Sequence, residues 1–162
     1  MKQKTIDVYE SIPFLKEILN MSGFGKLIGK SSNWIHEKSI KRCMFERMEP
    51  GFSVDNVELI NYGLDKVVES CRKHKLQPPS ECPNRDIYNK YVKTELKELR
   101  KLVSLVYLRE NYTTITKSTF DKKLINAVNR GTVAQFTEED IIQINRGIDK
   151  IAELLSSIHV TL

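Results

Sequence analysis

The segment Phe52-Ser-Val-Asp-Asn-Val-Glu-Leu-Ile-Asn-Tyr-Gly-Leu-Asp-Lys-Val-Val-Glu69 returns 84 residues later as Phe136-Thr-Glu-Glu-Asp-Ile-Ile-Gln-Ile-Asn-Arg-Gly-Ile-Asp-Lys-Ile-Ala-Glu153, with no gap. Seven of the eighteen positions are identical, and most of the rest are conservative, such as Val57 with Ile141 and Leu64 with Ile148. Chance alone gives about one identity over that length, so the pair reads as an internal duplication. Upstream the match weakens: Lys30-Ser31-Ser32-Asn33-Trp34-Ile35 resembles Lys117-Ser118-Thr119-Phe120 only with small gaps.

Both copies of the segment read as helices. Ser53 and Thr137 are good N-caps, because a hydroxyl accepts from the orphan N–H groups of the first turn. Phe52 with Val57, and Phe136 with Ile141, stand at the two positions of a hydrophobic staple. Glu138, Glu139 and Asp140 add negative charge at the positive end of the helix dipole. Val57, Ile60, Leu64, Val67, Val68 and Cys71 recur at helical spacing, as do Ile141, Ile144, Ile148, Ile151, Leu155 and Ile158. Gly63 and Gly147 fall mid-helix, where glycine costs up to about 1 kcal/mol against alanine. Their repetition suggests that another helix packs closely there.

Working outward, the first copy is expected to hold helices over Val8–Leu19, near Phe24–Ile28, and from Trp34 to about Met44. In the second copy Asp86–Leu108 reads as one long helix, Asn111–Ile115 as a short one, and Thr119 to about Val128 as the third. Leu76 to Asn84 holds three of the five prolines, which block helix and stiffen a linker. The organisation expected is all-α: a unit over 5–75, a Pro-rich linker over 76–85 and a unit over 86–160, two similar small helical bundles in tandem.

Composition excludes several classes. Hydrophobic residues make 40% and charged residues 29% of 162, which is ordinary for a globular chain. Apolar residues nowhere approach the ~20 in a row that cross a bilayer, and the start of the chain does not read as a secretory leader. Three cysteines, Cys43, Cys71 and Cys82, are odd in number and too few for a disulfide framework, which points to a cytoplasmic setting. Cys71, His74 and Cys82 lack a fourth ligand with the paired spacing of a zinc site. No HExxH, triad or P-loop pattern is present, so no enzyme, metal or cofactor is read.

A short helix, a turn, a capped basic helix and a longer packing helix make the layout of a helix-turn-helix module. That order resembles the lambda-repressor-like class, whose third helix enters the major groove. Gly29-Lys30-Ser31-Ser32-Asn33-Trp34-Ile35 and Ala134-Gln135-Phe136-Thr137-Glu138-Glu139 are also similar to an uncharacterised family of short helix-turn-helix proteins of gut bacteria. The resemblance implies a tandem DNA-binding protein, a transcriptional regulator acting as a covalent pseudo-dimer on duplex DNA.

Charge agrees with that placement. The net +5 is concentrated: residues 26–47 hold six basic against two acidic side chains, and 117–130 hold four against one. In the first copy Lys30, Ser31 and Ser32 would meet phosphate at a helix N-terminus, while Asn33, His36, Lys38, Lys41 and Arg42 would line the reading helix. In the second, Lys117, Ser118, Thr119, Lys122, Lys123 and Asn126 correspond. Trp34 and Phe120 read as core plugs. The rival reading is a protein-interaction module on the same scaffold, as a homodimer or with another protein, without DNA.

Overall fold

The computed structural model describes residues 4–44, 51–82, 84–129 and 131–162; the side chains of 41–44 and 129 lie outside that description. It is mostly helical. A strand β1 (Lys4–Asp7) leads into α1 (Val8–Ile18), α2 (Met21–Leu27), α3 (Trp34–Met44) and α4 (Val54–Lys73). The second half runs α5 (Arg85–Arg100), α6 (Leu105–Tyr112), α7 (Lys117–Ile125), the strands β2 (Val128–Asn129) and β3 (Thr132–Val133), α8 (Glu138–Ser156) and β4 (Ile158–Thr161). The strands amend the all-α expectation: β1 pairs in parallel with β4, and β2 with β3 antiparallel.

The caps form as the residues dictate. Ser53 Oγ accepts from the Asn56 N–H while Asn56 Oδ1 accepts from the Ser53 N–H, each at 3.3 Å. Thr137 and Asp140 make the same reciprocal box at the start of α8. A Cβ on Gly63 would stand 2.5 Å from Ile28 Cγ2 and 2.8 Å from the Phe24 ring; one on Gly147 would stand 2.8 Å from Tyr112 Cβ. Each glycine therefore lets the second helix of its own half press against the long one, as the repetition suggested.

Buried positions repeat at the same interval of 84 well beyond the quoted segment. Val8 and Val92, Leu15 and Leu99, Phe24 and Leu108, Ile60 and Ile144, and Leu76 and Val160 are all buried. These residues belong to one continuous core to which both halves contribute, with α4 packed along α8.

Two sets of reciprocal hydrogen bonds join the halves. At the first, the Asn20 N–H donates to Leu102 O at 2.9 Å, and the Ser104 N–H donates to Ile18 O at 2.8 Å. Leu19 and Val103 bridge between them. At the second, Asn61 donates to Val160 O and accepts from Val160 N–H, both at 2.9 Å. Asn145 does the same to Leu76, at 2.7 and 2.8 Å. When i meets j and j′ meets i′ in this way, the contact is that of a two-fold interface, here within one chain.

The halves differ where each end segment meets its other neighbour. β4 is flanked by β1, whose residues lie 84 positions before Tyr88–Tyr91 of α5. There the backbone of 75–77 has tyrosines instead of a strand: Tyr88 Oη donates to Gln77 O at 2.7 Å, and Tyr91 Oη accepts from the Gln77 N–H at 3.0 Å. The start of the Pro-rich stretch is thus anchored, with Leu76 buried.

The expected helix over 86–108 is in fact two. Lys101–Ser104 turns out of α5, Ser104 Oγ caps α6 through the Tyr107 N–H, and the Ser104 N–H goes to the other half. The short helix expected at 111–115 is displaced: α6 ends at Tyr112, and Thr113 is extended.

A shared core predicts one cooperative unfolding transition, with fluorescence of Trp34, the single tryptophan, coinciding with far-ultraviolet circular dichroism in a urea titration. Asn145→Ala leaves the Leu76 backbone unpaired and should lower stability by about 1–3 kcal/mol, detected by Trp34 although the substitution lies in the other half. Gly147→Ala should also destabilise, by about 1–3 kcal/mol, because the clash outweighs the gain in helix propensity.

Candidate nucleic-acid interface

The third helix of each half is held by an aromatic contact under the long helix. Trp34 meets Phe52 edge-on at 6.0 Å, and Phe120 meets Phe136 edge-on at 5.6 Å. Phe120 is buried and Trp34 half-buried, as core plugs should be. With Ile35 also buried, α3 has a fixed inner side, and His36 and Glu37 fall outside.

On α3 and the turn before it, Lys30, Ser31, Ser32, Asn33 and His36 are exposed, and Lys38 is half-buried. Lys30 Nζ lies 5.7 Å from the Trp34 ring centroid, a cation–π contact that orders the lysine without neutralising it. Gly29 turns the chain with φ of 71°, a conformation that glycine takes without strain. The expected contacts from Lys41 and Arg42 fall on side chains outside the described residues.

On α7 the helix begins earlier than the sequence suggests. Thr116 is the cap, its Oγ1 accepting from the Thr119 N–H at 3.3 Å, and Lys117 is the first helical residue. Lys117, Ser118, Thr119, Asp121 and Lys122 are exposed. Two expected contacts point elsewhere. Lys123 pairs with Asp140, both side chains nearly covered, and its Nζ lies 5.9 Å from the Phe136 ring. Asp140 also closes the α8 capping box, so this lysine ties α7 to α8. Asn126 ends α7 in the left-handed region at φ of 51°, with Oδ1 buried and unpartnered among the described residues. Neither side chain faces outward as a base reader needs.

α7 borders the joint between the halves: Lys117, Phe120, Asp121 and Leu124 share a groove with Leu19, Asn20, Val103 and Ser104. The sequence offered no sign of this, since the two sides of the groove are some eighty positions or more apart or separated by the unforeseen break at Ser104. Beyond the groove, Ile125, Val128 and Val133 are exposed at the end of α7 and on the β2–β3 hairpin. Comparison with protein-family models, curated proteins and solved structures finds no match.

Two outcomes check this geometry. Lys123→Ala leaves Asp140 without its cation and should cost about 3 kcal/mol or more in urea unfolding, whereas Lys122→Ala should cost less than about 0.5 kcal/mol. The Cys71 thiol, pushed up to about 12 by burial, should resist alkylation at pH 8 in the folded protein and react once unfolded, as read by peptide mapping.

Proposed function

We propose that the protein binds duplex DNA through α3 and α7, as a cytoplasmic regulator built from two helix-turn-helix-like units acting as a covalent pseudo-dimer. The observation that carries this reading is the exposed polar end on each third helix: Lys30, Ser31, Ser32, Asn33 and His36 on one, Lys117, Ser118, Thr119 and Lys122 on the other. Small hydroxyls and backbone N–H groups at a helix start suit phosphate oxygens, and Asn33 and Lys122 have side chains long enough to address base edges. The reciprocal joint supports the pseudo-dimer, since a two-fold arrangement of reading helices matches two half-sites about one turn apart.

A second reading has its own support. Ile125, Val128 and Val133 expose apolar surface beside α7, and Lys123 is withdrawn from the basic surface by Asp140. Those features suit a protein partner.

Fluorescence anisotropy with a labelled random-sequence duplex separates the two. DNA binding predicts that log K falls with log salt at roughly −0.9 per phosphate contacted. Lys38→Glu and Lys122→Glu should each weaken binding by about tenfold or more at low salt, with an unchanged melting temperature. Folded protein that fails to bind at low salt would exclude the DNA reading. If Val128→Lys instead abolishes concentration-dependent association in sedimentation, the protein-contact reading takes its place.

A further inference from the structure

The groove beside α7 has a charge pattern to which α5 and α6 contribute as well as α7. It encloses about 300 Å³, and Arg100, Arg109 and Lys117 line it with one carboxylate, Asp121. Val103, Leu105, Phe120 and Leu124 supply apolar walls. Apolar walls exclude water from one side of a bound ion, so a charge seated there is screened less than on an open helix face.

The three cations come from three elements and are placed differently. Arg100 ends α5, and its carbonyl accepts from Asn20 Nδ2 at 3.0 Å, which pins the backbone beneath it to the first half. Lys117 opens α7 and lines the same groove. Arg109, from α6, is largely covered and bonds Glu110 Oε1 at 2.5 Å, so part of its charge is already balanced. Among the described residues no ion pair engages Arg100 or Lys117. Two cations outside any such ion pair thus line one groove, each carried at the end of a helix.

The duplication adds a second, independent observation. Lys16, in the last turn of α1, lies 84 positions before Arg100 and is likewise exposed. Both halves therefore carry a long basic side chain at the end of their first helix, just before the reciprocal bonds of Asn20 and Ser104. Cations repeated about a two-fold joint suit a ligand whose own charges repeat about a two-fold axis, as the two backbones of a duplex do.

We propose that this groove seats a phosphodiester of the DNA backbone between Arg100 and Lys117, with Lys16 making the matching contact for the first half. The assignment rests on the DNA-binding reading above and extends it from the third helices to the joint. These contacts carry position and affinity without base preference, because a phosphate presents the same oxygens at every step. Asp121 opposes the bound phosphate, so its charge limits the affinity of the groove.

The test uses the full chain and the random-sequence duplex, with the salt slope as the readout that folding alone would not move. Arg100→Ala should weaken binding about tenfold at low salt and make the slope shallower by about 1, equally for unrelated sequences. Arg100→Lys should keep the slope. Asp121→Asn should tighten binding several-fold, and Lys66→Ala, on the exposed side of α4, should change nothing. Melting temperatures of all variants should match the parent. If the parent chain binds and Lys122→Glu weakens it, yet Arg100→Ala and Asp121→Asn leave affinity and slope unaltered, the groove assignment is overturned and the DNA reading survives. If the parent chain does not bind, both are overturned.

Discussion

An asparagine side chain presents the donor and acceptor of a peptide unit, and this architecture depends on that equivalence at two places. Asn61 completes the backbone hydrogen bonds of Val160, and Asn145 those of Leu76. Both recipients are buried in the shared core, where unmade backbone bonds would cost more than the packing of one aliphatic side chain returns. Each half thus sends its final extended segment onto the long helix of the other. Units of this size bury little surface alone, and the exchange gives both a common core along α4 and α8.

The same exchange explains where the two halves stop resembling each other. A segment clasped on one side by asparagine still has backbone groups facing the other way. β4 meets those groups with β1, whereas 75–77 meet them with the Tyr88 and Tyr91 hydroxyls. A strand and the start of a helix solve one hydrogen-bonding requirement by different means.

The helices and their caps were legible because their determinants are local. Ser53, Thr137 and the staples formed by Phe52 and Phe136 act within one turn, and the apolar spacing of α4 and α8 carries their burial directly. Gly63 and Gly147 even announced a close neighbour. The break between α5 and α6 was not legible: Leu99 to Val106 contains no glycine or proline, and the turn exists because Ser104 bonds Ile18 across the joint. For the candidate interface, exposure of Lys30, Ser31, Lys117 and Lys122 followed from their place in or beside the turn before each third helix and on its polar face. The withdrawal of Lys123 did not, because the sequence shows its partner Asp140 only as one of three acids at the positive end of the α8 dipole. One carboxylate performs both tasks, and a charge count cannot reveal that a cation has been spent on packing.

Joining two halves in one chain has a consequence for any ligand that spans them. Two separate units would lose translational and rotational freedom each time they met on a ligand. Here the covalent link and the reciprocal bonds have already set their relative placement, so the second half engages as an intramolecular partner. The joint between Leu19 and Val103 then fixes the offset of the cationic residues around it, Lys16 and Arg100 among them, at any protein concentration. Under the DNA-binding proposal, half-site spacing is a property of the core: it is set by the reciprocal bonds of Asn20, Asn61, Ser104 and Asn145.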